Sequence, residues 1–425
     1  MYKKLEHFVL DTKKKLGEEH FGSKPSMYGG DMRRPNMDGV GPRIAVFLMG
    51  KFNYNHKAVI EESMATGGLY DDLVQEILMR LPAKTLLRCR CVCRSWYSLI
   101  TNPDFILAHV CYNKAKRHLV LLRSFDHAEK KVRYKLCHDN EQLDEIMTID
   151  FPFVSKHHDY FRMVGCVNGL VCLSDDIVEV TDTLILWNPV IRRFLTLPEL
   201  KLDVESTDLG RSVFGFGFDS SKNDYKVIRI VYLKNPDFEA LQVDAKIAIF
   251  RLSSSCWEVN GSASVPVLDT RQAYVNGVIH WLAYNKLIVG FDVKGEAFKD
   301  MMLPQTLQDA NISDLTIASW CDLLSVFENG YWSGKLSLWI MKDYGAPKSW
   351  VKQFVIESFV MVRSLRSNGC VILQNIGGKL VLYNAKTNQF EEFKTHVEGS
   401  IRGFHMRSYL ESLALLDQKD SHGVL

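Results

Sequence analysis

The chain has 425 residues, 47% of them hydrophobic and 24% charged, and its 52 Lys and Arg against 50 Asp and Glu leave a net charge of +2. That length predicts two or three domains, and that apolar content excludes wholesale disorder. A charge so near zero supplies no global field toward nucleic acid or an anionic membrane.

The best apolar run, residues 44–49 (IAVFLM), falls far short of the roughly eighteen residues a membrane span needs. The first residues, MYKKLEHFVLDTKKK, carry charge without an apolar core, which argues against a secretory signal. Ten cysteines, at 89, 91, 93, 111, 137, 166, 172, 256, 321 and 370, lack the regular spacing of a disulfide framework. Free thiols in a reducing compartment are expected, with a cytoplasmic or nuclear address.

Four zones follow in chain order. Residues 1–65 hold Pro25, Pro35 and Pro42 and no sustained period, the pattern of a loosely ordered extension. Residues 66–110 carry helical periodicity. Residues 115–405 change to short apolar runs bounded by Asn-Gly, Asn-Pro and Asp-Ser turns, the pattern of β structure. Residues 406–425 are expected to be a fraying tail.

In the helical zone, Asp71 and Asp72 suit a first turn, because carboxylates favour the positive helix end. Leu73, Ile77 and Leu81 follow at fourfold spacing, with Val74 and Leu78 beside them, and Pro82 stops the helix. A second helix is expected from Ala83 to Asn102, its stripe marked by Leu86, Cys89, Cys93, Trp96 and Ile100 with Val92 and Leu99 alongside. A short third segment holds Phe105, Ile106 and Val110. So small a unit cannot bury this many apolar side chains alone, which implies a partner helix or a neighbouring domain.

The words of this segment, from Leu69 to His109, resemble the F-box, the adaptor motif that docks onto Skp1 in cullin-RING ubiquitin ligases. The resemblance rests on Asp72-Leu73, Glu76-Ile77-Leu78, Leu81-Pro82, Leu86, Arg90, Val92-Cys93, Ser95-Trp96, Leu99-Ile100, and Pro103 with Phe105. It departs at Tyr70, where the family usually has a proline that pre-sets the helix start. The resemblance implies that Leu69, Leu73, Ile77, Leu81, Pro82, Leu86, Val92 and Trp96 form the apolar surface shared between the motif's core and Skp1. Members usually begin shortly before the motif, so Met64 is an expected alternative start and residues 1–63 are expected to be foreign to the native protein.

In the β zone one unit recurs. Leu184-Ile185-Leu186-Trp187 is followed, seven residues after the Trp, by Phe194; Ile247 to Phe250 is followed at seven by Trp257. Leu287 to Phe291 leads likewise to Phe298, and Leu380 to Tyr383 to Phe390, while Leu336 to Trp339 reaches Trp350 after a longer turn. Each reads as a hairpin with an aromatic on the returning strand. Asn168-Gly169, Asn276-Gly277 and Asn368-Gly369 each precede a further apolar strand. The starts Leu184, Ile247, Leu287, Leu336 and Leu380 lie 63, 40, 49 and 44 residues apart. Such spacing suits one four-stranded propeller blade per repeat, and 119–122 with 132–136 would begin the ring, giving about six blades. A stacked sandwich is the alternative, since alternation does not fix closure.

This region resembles the plant F-box-associated type 1 domain, also described as kelch-like, through GCVNGLVCLS (165–174), LILWNPVIRRFLTLP (184–198), FGFGFDSSKNDYKVIRI (214–230), NGVIHWL (276–282), LWIMKDYG (338–345) and SWVKQF (349–354). Only Gly377-Gly378 supplies the paired glycines of true kelch repeats. The two resemblances imply an α+β multidomain chain, a short helical F-box followed by an all-β kelch-like propeller.

Other signals have plainer readings. Cys89, Cys91 and Cys93 do not share one helical face and have no second Cys/His pair at ligand spacing, so core packing is expected and no metal. Lys84, Arg88, Arg90 and Arg94, and the runs Lys13-Lys14-Lys15 and Arg33-Arg34, read as solvated surface. Gly215-Phe216-Gly217 lies within the alternation Phe214, Phe216, Phe218, where glycine permits close approach of a neighbouring strand. His157-His158-Asp159 reads as loop, and neither a nucleophile elbow nor a phosphate loop is present in the sequence. Tyr331 and Trp332 are the candidate exposed aromatics for target binding.

The expectation is therefore a non-catalytic substrate-recognition subunit of an SCF-type ligase. Its partners would be a Skp1-like protein, cullin and RING through it, and a protein target. No cofactor, membrane or nucleic acid is expected. A propeller enzyme and a nucleic-acid binder are the rival readings.

Overall fold

The computed structural model describes residues 68–416 apart from 117–118, 127–130, 141, 151–152, 154–160, 176–182, 203–208, 234–243, 269–270, 331–333, 358, 367, 376–378 and 393–404. The extension 1–65 with Met64 and its basic runs, His157-His158-Asp159, Gly377-Gly378 and the candidate aromatics Tyr331 and Trp332 all lie outside the described residues. The chain divides into two compact units, 1–105 and 106–425.

The first unit is helical. Helix α1 (Gly68–Met79) ends where Arg80 and Leu81 donate to Ile77 and Leu78, at 3.1 and 3.0 Å, tightening the last turn. Pro82, extended at φ −61° and ψ 148°, stands directly before α2 (Ala83–Cys89). The single second helix expected from the sequence is two helices, α2 and α3 (Arg94–Thr101). After Cys89 the amides of Cys91 and Val92 bond back only three residues, to Arg88 and Cys89, both at 3.0 Å. Cys93 then turns extended, at φ −153° and ψ 170°, and opens α3. The stripe continues through this break because both helices and the turn bury Leu86, Cys89, Val92, Cys93, Trp96 and Ile100. Helix α4 (Pro103–Lys116) runs across the division between the units.

The second unit contains six antiparallel four-stranded sheets, the blades of a propeller. Blade 1 takes β1 (Leu119–Asp126), β2 (Lys131–His138) and β3 (Glu145–Asp150). Blade 2 is β4 (Arg162–Val167), β5 (Leu170–Ser174), β6 (Leu184–Asn188) and β7 (Arg193–Thr196). Blade 3 is β8 (Leu209–Asp219), β9 (Asp224–Leu233), β10 (Asp244–Arg251) and β11 (Cys256–Ser264). Blade 4 is β12 (Ala273–Val275), β13 (Val278–Leu282), β14 (Leu287–Asp292) and β15 (Ala297–Met302). Blade 5 is β16 (Leu315–Trp320), β17 (Leu323–Gly330), β18 (Lys335–Met341) and β19 (Trp350–Glu357). Blade 6 is β20 (Phe359–Leu365), β21 (Cys370–Asn375), β22 (Leu380–Asn384) and β23 (Gln389–Glu392).

The missing strand of blade 1 comes from the far end of the chain. Strand β24 (His405–Tyr409) pairs with β1, Leu119 opposite Tyr409 and Leu121 opposite Arg407. The tail expected from residue 406 is thus corrected: it is the strand that closes the ring. Beyond it, Ala414 and Leu415 join the core between blades 2 and 3. Asn188 of β6 donates to the carbonyls of Ser412 and Ala414 at 3.1 and 3.0 Å, and Tyr409 Oη donates to the Gly169 carbonyl at 3.0 Å. The C-terminal segment therefore belongs to blade 1 by its ladder and to blade 2 by its side-chain bonds. Closure also decides against the sandwich alternative.

The repeat seen in the sequence is the third and fourth strand of each blade. Trp187 lies opposite Phe194, Phe250 opposite Trp257, Phe291 opposite Phe298 and Tyr383 opposite Phe390. In the fifth copy the longer turn shifts the register, so that Trp350 faces Met341, and Lys352 places its ammonium 4.8 Å from the Trp339 ring centre. Asn168 and Asn276 sit at φ 49° and 53°, each followed by a glycine at φ 78°, the twist a tight two-residue hairpin requires.

Apolar layers lie between consecutive blades. Phe214, Phe216 and Phe218 of β8 pack with Leu170, Cys172 and Leu186 of blade 2, while Trp281 of β13 packs with Ile228 and Ile249 of blade 3. A Cβ on Gly215 would collide with the Trp281 indole, and one on Gly217 would lie 2.7 Å from Val293. The glycine alternation thus admits side chains of the next blade, a refinement of the strand approach expected. Buried ion pairs also cross between blades. Lys226 reaches Asp219 and, across to blade 4, Glu296, each at 2.8 Å; Arg366 on blade 6 meets Asp139 on blade 1 at 2.6 Å.

Candidate functional site

Each unit carries its own candidate surface. In the helical unit the eight residues singled out from the sequence separate into two groups. Leu81, Leu86, Val92 and Trp96 are buried. Leu73, Ile77 and Pro82 are half-buried, and the side chain of Leu69 lies outside the described residues, as does that of Tyr70. The buried positions of α1 are Val74 and Leu78, one step round from Leu73 and Ile77. A helix turns about 100° per residue, so Leu73 and Ile77 form a flanking strip, one above the other.

Nearby apolar groups share that partial exposure. Leu87 and Leu99 are half-buried, and Tyr97 is 50% exposed with the Arg90 guanidinium 5.1 Å from its ring centre. Arg80 pairs with Glu76 across one turn of α1. Cys89 is buried, and burial pushes its thiol up to about 12, so it stays protonated and packs as an apolar side chain; Cys91 is exposed. Among the described residues no three His, Cys, Asp or Glu side chains stand close enough to hold a metal ion.

In the propeller a cavity of about 350 Å³ opens among the ends of the innermost strands, lined by residues of β4, β12, β16, β20 and β24. Its rim carries Lys114, whose ammonium lies 3.5 Å from the Asp322 carboxylate. Farther along, Gln272 is committed to blade 3: its Oε1 accepts from the Phe216 amide at 2.6 Å and its Nε2 donates to the Phe216 carbonyl at 2.9 Å. Tyr274 Oη donates to the Phe218 carbonyl at 2.7 Å. Burial pushes the Cys166 thiol up to about 12, although neighbouring Arg407 pulls it down, so it is neutral. Arg407, on β24, is exposed to the cavity.

Sequence reading missed this cavity. A signal was present: Arg162, Arg211, Arg363 and Arg407 lie on four of the six innermost strands, and Arg271 stands two residues before a fifth. The repeat that announced the blades belongs to their third and fourth strands, so the innermost strands were never laid under one another.

Six closed four-stranded sheets preceded by a short helical docking motif define a class of two-part β-propeller protein. The comparisons agree in both parts: residues 68–107 match the F-box domain, and residues 118–414 match the F-box associated beta propeller domain. The chain belongs to the plant family of F-box proteins with an F-box-associated propeller. It is 30% identical over 347 residues to F-box/kelch-repeat protein At3g23880 of Arabidopsis thaliana, covering 75% of this chain and 88% of that one. It is 28% identical over 363 residues to F-box protein CPR1 of the same plant, covering 76% and 83%. F-box protein At3g07870, also from Arabidopsis thaliana, is 29% identical over 402 residues, covering 82% and 92%.

Proposed function

We propose that the chain is a substrate-recognition subunit of an SCF-type ubiquitin ligase. The helices of 68–101 dock on a Skp1-like protein, and through it on cullin and RING, while the propeller holds a protein target. The subunit performs no bond chemistry; it raises the local concentration of target beside the ubiquitin-loaded enzyme. Such a complex would work in the cytoplasm or the nucleus.

The observation that carries this reading is the strip Leu73–Ile77, left half-buried on a helix whose other apolar face is internal. Completing the burial of two such side chains contributes about 1 kcal/mol each. The decisive experiment is co-purification of the full chain with a plant Skp1. Leu73→Glu with Ile77→Glu should abolish capture and leave the thermal unfolding of the propeller unchanged. Leu86→Asp should abolish it by unfolding the motif, because Leu86 is fully buried. Undiminished capture by the Leu73/Ile77 double variant would overturn the assignment of this surface, and failure of the wild type to bind any Skp1 would overturn the ligase role.

A further inference from the structure

The charge inside the propeller cavity is one-sided. Lys114 and Asp322 neutralise each other at the rim, where both are well exposed. Gln272 and Tyr274 are bonded to the blade 3 backbone, and the Cys166 thiol is neutral. That leaves Arg407, which is open to the cavity and makes no hydrogen bond or ion pair.

Its electrostatic neighbours deepen the imbalance. Burial, followed by the repulsion of Arg271 and Arg123, makes Arg407 a stronger acid than an ordinary arginine; the nearby Cys166 only partly offsets this. Arg271 is itself exposed and donates one bond to Thr316 Oγ1 at 3.0 Å, while Arg123 is buried and donates to the Phe161 carbonyl at 2.9 Å. Among the described parts of the innermost strands the one carboxylate is Asp219, which the buried Lys226 ammonium already holds at 2.8 Å. An uncompensated cation surrounded by protein is costly, and a cluster of arginines gathers whatever anion fits.

We propose that this cavity is an anion site, in which Arg407, with the field of Arg271 and Arg123 behind it, binds a phosphate-type dianion. A planar guanidinium donates in a fork that matches two oxygens of a tetrahedral oxyanion. A dianion answers more than one arginine, as a single carboxylate does not. A cavity of about 350 Å³ has room for a phosphate group together with the side chain or small molecule that carries it. The proposal deepens the substrate-receptor reading by giving the target's contact a chemistry, but the anion site does not depend on Skp1 binding.

The test titrates the purified full chain with inorganic phosphate, reading the phosphorus NMR linewidth and the thermal midpoint against chloride at matched ionic strength. Phosphate should broaden its own line and raise the midpoint beyond the chloride control, and both effects should weaken as salt rises. Arg407→Gln should weaken binding about tenfold or more, and Arg407→Lys should retain part of it. A second arm passes a mixture of phosphoserine peptides and its unphosphorylated counterpart over the wild type and over Arg407→Gln. Retention that requires both the phosphate and Arg407 assigns the ligand to a phosphorylated side chain of the target. Phosphate binding without peptide discrimination assigns it to a small phosphate compound. A phosphate response no larger than that of chloride, or an equal response in Arg407→Gln, overturns the site. Retained Skp1 capture by Arg407→Gln shows that the helical unit is folded, and a wild-type-like tryptophan spectrum does the same for the propeller. Should that variant fail either check, Arg407→Lys and competition by pyrophosphate on the wild type decide in its place.

Discussion

In the helices of 68–101, Leu73 and Ile77 stay half-buried beside a small internal core of Leu78, Leu86, Trp96 and Ile100. In the propeller each sheet packs its apolar faces against its neighbours, and charge is taken inside as well, with Lys226 and Arg366 at zero side-chain exposure in inter-blade ion pairs. A unit of some thirty-five residues has too little interior to hide its apolar side chains, so some remain for a partner; a closed ring supplies its own partner to every blade but leaves a channel in the middle. The helical unit therefore offers an apolar surface, and the propeller a polar cavity.

Three experiments on the full chain press on that difference, the strongest first. Deleting residues 404–425 removes β24 and the Asn188 anchors, and should abolish the propeller's cooperative unfolding transition altogether, as followed by tryptophan fluorescence. A surviving native transition would mean that the ring does not depend on its closing strand. Lys226→Met leaves Asp219 and Glu296 without their cation, and should cost about 3–5 kcal/mol in urea unfolding, the penalty of a broken buried pair. In the wild type, burial disfavours the Asp219 charge, but the bonds from Lys226 and Ser221 outweigh it and hold the carboxyl down at about 2.

The third is a pH effect at the boundary between blades 4 and 5, where His280 meets Tyr344 Oη at 2.8 Å. Burial lowers the imidazole from 6.5 to about 4, against a weaker pull upward from the Ala273 carbonyl. Because the folded pKa is depressed, the unfolded chain takes up the proton first. Stability should be greatest above pH 6.5, fall by about 3 kcal/mol toward pH 4 and level off below. Urea midpoints for His280→Gln should lack that share of the slope. None of these changes alters the Leu73–Ile77 strip, whose double glutamate variant should move stability least while removing capture by Skp1.

How much of this was legible in the sequence follows from where each side chain sits. The third and fourth strands announced themselves because Trp187 and Phe194, or Phe291 and Phe298, recur across a short turn at fixed spacing. Closure did not, because β24 is only five residues, HMRSY, with polar side chains in alternation, and its partner β1 lies at the other end of the domain. The innermost strands were as obscure: β12 has three residues, and half the side chains of such strands face the channel rather than a core. The break between α2 and α3 was invisible because the apolar stripe runs straight through it. Periodicity reports burial, and says little about where the backbone changes direction.

Closure by β24 also gives synthesis an order. The ribosome delivers Leu119 long before Tyr409, the residue opposite it in the ladder. At about 5–20 residues per second, β1 waits roughly 15–60 s for its neighbour. Throughout that interval an edge of blade 1 and the facing side of blade 2 are bare, and any stalled or prematurely ended chain keeps them so. The last few dozen codons thus act as a quality gate: only a chain translated through residue 416 can leave the ribosome without an open β edge for chaperones, or for other nascent chains, to find.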